Sequence, residues 1–212
     1  MYRRRRGAPL PERTSAALSE AEATAKKALL RKQMRSARRL FSPQAHIQAS
    51  NAVLSQALAT HRFASGMRVA AFWAAGSELS LKPLLALLLA RGVLVYLPRI
   101  VSDGEMQFFR FHGENCLMPS PHGILAPKID VSGAIAAQDI DVMLLPLLAF
   151  DPRGARLGQG GGYYDRYLQG ISANKPLRIG VGFHFQAQKH VPHAKLDERL
   201  HAAITDGGVF SF

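Results

Sequence analysis

The stretch Leu144–Leu168 reads LLPLLAFDPRGARLGQGGGYYDRYL. Its order is a buried apolar strand, a glycine-rich loop and the start of a helix. In open α/β sheets, ligands bind beyond the carboxyl ends of the strands, where loop amides and a helix amino terminus attract phosphate. Gly158, Gly160, Gly161 and Gly162 permit backbone angles and close approaches that a side chain would forbid. Glycine content alone would equally describe a flexible surface loop. The flanking Arg156, Tyr163, Tyr164, Asp165 and Arg166 decide for an anion site, because they place a cation, ring donors and a candidate magnesium ligand within one short stretch.

Three familiar phosphate or acyl-carrier motifs fail on spacing. No glycine is followed by Lys and then Ser or Thr, so a P-loop is excluded. The dinucleotide fingerprint needs a third glycine where Gly158 and Gly160 are followed by Tyr163. The acyl-coenzyme A pattern, Arg or Gln, then two residues, Gly, one residue and Gly or Ala, does not match from Arg153, Arg156 or Gln159.

Working outward, residues 1 to 14 read as an unstructured lead, and Ser15 to Leu40 as an amphipathic basic helix rich in Ala, Leu, Lys and Arg. Ser42 before Pro43 starts a second helix that runs to about Thr60. Beyond it, short apolar runs alternate with helical ones. Strands are predicted over Met67–Trp73, Val93–Leu97, Gln107–Phe111, Asp141–Leu145 and Leu177–Gly182, with Ala202–Thr205 as the last. Leu81–Arg91 is a helix ended by Gly92, and a Pro- and Gly-rich excursion passes through Pro119, Pro121, Gly123 and Pro127. The fold class expected is α/β: a mostly parallel sheet with helices on both faces, preceded by N-terminal helices.

The 212 residues suit one globular domain, here 26–212, behind a disordered basic extension at 1–25. The longest apolar run, Leu84–Ala90, is far short of the roughly 20 residues a bilayer span needs, so a soluble protein without a membrane partner is expected. Cys116 is the single cysteine, which excludes an internal disulfide and favours a reducing, cytoplasmic compartment. The net charge of +12 is concentrated in residues 1–39, where 12 Lys and Arg face three acids. Arg3–Arg6 read as part of a solvated tail, with a mitochondrial presequence as the lesser alternative. A nucleic-acid-binding module would explain this charge and nothing of the glycine-rich segment, so nucleic acid is not the expected partner. A small-molecule kinase using the same loop is the other alternative. His184, His190 and His193 lack the spacing of a zinc motif.

The segment PLLAFDPRGARLGQGGGYYD, Pro146–Asp165, closely resembles the signature of the 5-formyltetrahydrofolate cyclo-ligase family. Further matching features follow in order: Lys27 and Arg31 on the first helix, Glu78 beyond the first strand, then Pro192, Asp197 and Ile204–Thr205. The resemblance covers about residues 26–206. It departs at Ala126 before Pro127 and at Leu196 before Asp197, where the family often carries an acid and a histidine.

The resemblance implies an ATP- and magnesium-dependent cyclisation of 5-formyltetrahydrofolate to 5,10-methenyltetrahydrofolate; a monomer is expected. It assigns ATP contacts to Lys27, Arg31, Arg156, Leu157, Gly158, Gln159, Gly160, Gly161, Gly162, Tyr163 and Tyr164, and catalysis to Arg156 and Tyr163. It assigns folate contacts to Trp73, Glu78 and Tyr163, and magnesium to Asp165 and Asp197. Without the resemblance, Asp165 reads as a first-turn acid favoured by the helix dipole and Asp197 as a surface charge. Lys27 and Arg31 likewise read as members of a solvated face interchangeable with Lys32 and Arg35.

Overall fold

Strand alternation sorts the apolar residues onto two faces. Val69 and Ala71 pack into one core cluster and Ala70 into another; Val142 and Leu144 join the first, Met143 and Leu145 the second. A computed structural model describes residues 20–60, 62–120, 123–129, 133–172, 174–193 and 197–212. The readings made for residues 1–19, including Arg3–Arg6, and for Pro121 and Leu196 lie outside the described residues.

In chain order the elements are α1 (Glu20–Arg39), α2 (Pro43–Ala59), β1 (Arg68–Ala70), α3 (Lys82–Ala90), β2 (Leu94–Ser102), β3 (Glu105–Arg110), β4 (Leu117–Pro119) and β5 (Leu125–Pro127). There follow β6 (Val142–Pro146), β7 (Ala149–Phe150), β8 (Arg156–Leu157), α4 (Tyr163–Leu168), β9 (Leu177–Gly182), β10 (Ala202–Thr205) and β11 (Gly208–Ser211). Helix α1 therefore begins inside the stretch expected as an extension, and residues 20–25 belong to it.

Seven strands form one sheet in the order β11-β10-β9-β6-β1-β2-β3. The five inner strands run parallel; β3 and β11 close the edges antiparallel. Two expectations are corrected here. Thr205 does not end the last strand, because the chain turns at Asp206–Gly207 and returns as β11. The Pro- and Gly-rich excursion is not irregular throughout, since β4 and β5 pair as a hairpin.

Helix α2 starts where Ser42 Oγ accepts the Ala45 amide at 3.2 Å and Pro43 occupies the first turn. Its Val53 and Ala57, with Leu84, Leu85 and Leu88 of α3, cover the first sheet face. Burying each such leucine stabilises by about 1.5–3 kcal/mol. The second face is covered by α4 through Leu168 and by Leu147, Phe150 and Leu200 from loops and the β7–β8 hairpin. Helix α1 lies against that hairpin, with Leu30 and Met34 packed on Leu148, Ala149, Ala155, Leu157 and Val191. This contact brings the basic side of α1 over the carboxyl ends of β1 and β6. Those two strands are where the chain reverses its direction across the sheet, the place where α/β folds bind ligands.

Candidate active site

Beyond β1 the chain passes through buried Phe72 and half-buried Trp73 into a tight loop. Glu78 closes that loop by accepting the Ala75 amide on Oε2 at 3.0 Å. Beyond β6 the β7–β8 hairpin turns around Asp151. This carboxylate accepts the amides of Arg153, Ala155 and Val191 and an Arg153 guanidinium N–H. Burial alone would raise the Asp151 pKa, but Arg153 and the three amides bring it below the ordinary value. The hairpin is thereby tied to the segment that leads to Asp197.

The loop after β8 carries the glycines. Gly160 has φ +111°, and a Cβ there would lie 3.5 Å from the Arg31 guanidinium; Gly162 has φ +67° and a Cβ would meet Arg166 Nη1 at 2.7 Å. Helix α4 has six residues, so loop amides and side-chain cations outweigh its dipole at the site.

Helix α1 approaches this loop with one face. Lys27, Arg31, Arg35 and Arg38 follow at spacings of four, four and three, which aligns them along one side. Lys27 Nζ pairs with Asp197. Arg31 Nε donates to the Gly158 carbonyl at 3.0 Å. Burial, and then its neighbour Arg35, lower the Arg31 pKa against the pull of Asp197. Arg35 donates to Gln159 twice, Nε to Oε1 at 3.1 Å and Nη2 to the carbonyl at 2.8 Å. Gln159 Nε2 in turn donates to Glu78 Oε1 at 2.8 Å. The reading of Arg35 as part of a solvated face is thus corrected: Lys32 is exposed, whereas Arg35 holds the glycine-rich loop.

At the base of the site Arg156 is buried, its Nη2 donating to Asp165 Oδ1 at 2.8 Å and its Nη1 to the Pro146 carbonyl at 3.3 Å. Asp165 Oδ1 also accepts the Glu198 amide at 3.3 Å, which brings the segment around Asp197 alongside. Tyr164 packs edge-on against Phe108, and burial, then Glu78, push its hydroxyl pKa well above the ordinary value despite Arg156. Tyr163 has the Arg166 guanidinium over its ring at 5.0 Å.

All the residues assigned from the resemblance line one cavity of about 730 Å³. Lys27, Arg31, Arg156–Tyr164, Asp165 and Asp197 line it together with Trp73 and Glu78. Missing from the sequence reading were Arg35 and Arg38, and an apolar contribution from Pro98, Ile100 and Met106 on β2 and β3. The spacing from Arg31 to Arg35 and Arg38 was the available signal for the cations. Nothing in the sequence marks these apolar residues of β2 and β3 as cavity wall.

Two carboxylates at this site have the chemistry of magnesium ligands. Asp165 and Asp197 offer hard oxygens on the same cavity wall, and Asp165 Oδ2 has no protein partner among the described residues. Among those residues no three His, Cys, Asp or Glu cluster as a closed cage. Two carboxylates beside a phosphate site fit a magnesium ion that also binds phosphate and water. His190 lies instead with Arg153 near Asp151, and His193 Nδ1 lies 3.8 Å from Asp197.

A cation-lined, glycine-walled cavity at the switch point of a parallel sheet is the arrangement with which α/β enzymes hold anionic ligands. Residues 23–206 match the 5-formyltetrahydrofolate cyclo-ligase family, and the chain belongs to that family. It is 30% identical over 181 residues to the 5-formyltetrahydrofolate cyclo-ligase of Escherichia coli (strain K12), covering 84% of this chain and 100% of that one. The Haemophilus influenzae cyclo-ligase is 28% identical over 179 residues, 84% of this chain and 96% of its own. The solved structure of Aquifex aeolicus 5,10-methenyltetrahydrofolate synthetase matches with a TM-score of 0.73 at 30% identity, over 87% of this chain and 92% of that one. The Mycoplasma pneumoniae synthetase shares the fold at a TM-score of 0.68 and 22% identity, over 85% and 98% of the two chains.

Proposed function

We propose that this enzyme converts 5-formyltetrahydrofolate and ATP to 5,10-methenyltetrahydrofolate, ADP and phosphate, as one domain from α1 onward. The supporting observation is that one cavity is lined both by the cations and the glycine-rich loop and by Trp73 and Glu78. The formyl oxygen is a poor leaving group. It attacks the γ-phosphorus and ADP departs; the nitrogen at position ten then attacks the formyl carbon, the C–O bond breaks, phosphate leaves and the N–H proton is lost.

Catalysis of this kind is mostly positioning and charge stabilisation. Lys27, Arg31 and the amides of 158–162 hold the ATP phosphates; Arg156 offsets charge on the group in transfer. Tyr163 lies beside that group. Trp73 packs on the pterin, and Glu78 accepts its ring N–H donors. Asp165 and Asp197 would hold magnesium, which when bound to ATP neutralises phosphate charge. No helix of the described residues is long and apolar enough to cross a membrane. We place the enzyme in the cytoplasm on the strength of its lone cysteine.

The test is formation of the methenyl absorbance band from 5-formyltetrahydrofolate, dependent on ATP and magnesium. ATP hydrolysis with phosphate passed to another small molecule, and no methenyl band, would favour the kinase reading.

A further inference from the structure

Arg38 differs from the other buried arginines at the site. It is 5% exposed, yet its guanidinium makes no hydrogen bond or ion pair among the described residues, and Nε is fully buried without a partner. The carboxylate nearest in electrostatic effect is Glu78, whose two oxygens already accept from Ala75 and Gln159. Burial lowers the Arg38 pKa, the mark of a cation short of compensation. A buried guanidinium left unpaired is costly, so a protein that retains one gains from an anion supplied from outside.

The position of Arg38 narrows which anion. It lies on the wall shared by the main cavity and a second chamber of about 610 Å³. It follows Arg35, which holds Gln159, by three residues, roughly 4.5 Å along the axis, so it sits about one turn beyond the last contact of α1 with the glycine-rich loop. The second chamber has aromatic walls, Phe41, Phe72 and Trp73, with Arg39 and Lys82 among its cations. Lys82 Nζ stands 4.8 Å over the Trp73 ring. An aromatic group that ends in carboxylates fits this chamber, whereas a polyphosphate has its amides and cations at the other end.

We propose that Arg38 receives a carboxylate of the folate's glutamate tail, and that the second chamber takes the benzoyl-glutamate arm. This rests on the function proposed above, and makes Arg38 a substrate-specificity residue that acts on affinity for folate and not for ATP.

Trp73 is the only tryptophan of the chain, so its fluorescence reports binding without turnover. The ligands are 5-formyltetrahydrofolate, its glutamate diamide, which keeps the shape and removes both charges, and ATP. The full chain should bind the carboxylate form roughly tenfold to a hundredfold tighter than the diamide, as loss of a charge-assisted hydrogen bond implies. Arg38→Gln should bind the two alike, Arg38→Lys should recover part of the preference, and ATP affinity should stay unchanged. The melting temperature of unliganded Arg38→Gln should not fall, since no protein partner is lost.

The proposal is overturned if Arg38→Gln keeps the full preference, or if the parent protein has none. A loss of ATP affinity would make the anion a phosphate, and a lowered melting temperature with equal loss for both folates would make Arg38 scaffold; either result overturns it. A carboxylate preference without methenyl formation would refute the function and leave this binding assignment standing. Methenyl formation without the preference would do the reverse.

Discussion

At the glycine-loop end of the cleft the cations of α1 and Arg156 already hold protein partners, whereas at the Trp73 end Arg38 holds none among the described residues. Lys27 has Asp197, Arg31 the Gly158 carbonyl and Arg156 Asp165. Partnered cations are fixed in place before any ligand arrives, and preorganised charge is what lowers a barrier. An unpartnered buried cation is stabilised only by the ligand it binds, so its effect falls on affinity. On the function proposed above, the contrast assigns turnover and ATP to one end and folate affinity to the other.

The largest effect should come from Asp165→Asn. The amide removes the charge opposite Arg156 and one hard oxygen donor for magnesium, and turnover should fall by roughly a hundredfold or more. Activity near the parent level at limiting magnesium would remove Asp165 from the metal site. Arg156→Ala should follow, slowing phosphoryl transfer by about a hundredfold in single-turnover measurements while folate affinity stays close to the parent value. Equal losses in folate binding would erase the division between the two ends.

Legibility in the sequence differed in the same way. The order strand, glycine loop and YYD segment was readable because short range dictates it: an apolar run, φ-permissive glycines and a restricted set of flanking polar groups. Arg35 and Arg38 were not, because α1 carries basic residues around most of its circumference and charge alone does not tell which face meets the loop. The partner that selects the face, the β7–β8 hairpin, lies more than 100 residues away in sequence. Strand β11 had a local signal in Asp206–Gly207, a hairpin dipeptide, but the four residues after it are too few to establish alternation.

Replacement of Lys27 and Arg31 together by Gln should raise the Michaelis constant for ATP by roughly tenfold or more, with little change for folate. A parallel rise for folate would mean that α1 is displaced as a whole. A smaller effect, on stability, is expected at Asp151, which anchors the hairpin carrying Arg156. Its folded pKa is depressed, so its contribution is complete above the unfolded value near 3.9 and is lost as pH falls through the folded value. Asp151→Asn should therefore be less stable by about 2 kcal/mol at pH 7. The gap should narrow as the parent protein is taken below about pH 4. Melting curves across pH 2–7 check this, and a gap that stays constant to the acid end would detach Asp151 from the support of the loop.

The finest division lies between Arg35 and Lys32, three residues apart on α1 and equal in charge. Arg35 donates two hydrogen bonds to Gln159, and Gln159 donates to Glu78, so this arginine links the glycine loop to the loop that follows β1. Lys32 is exposed. Each partly exposed hydrogen bond contributes about 0.5–1.5 kcal/mol, so Arg35→Gln should raise the Michaelis constant for ATP a few-fold. It should also raise that for folate slightly, because a freed Gln159 no longer steadies Glu78. Lys32→Gln should change neither constant. Matching loss of net charge makes the pair a control for long-range electrostatics, which salt would screen at both positions alike. If the two variants behave identically, and RNA binding falls equally in both, the basic side of α1 acts as a charged face, and the distinction between partnered and unpartnered cations no longer extends beyond the cavity floor.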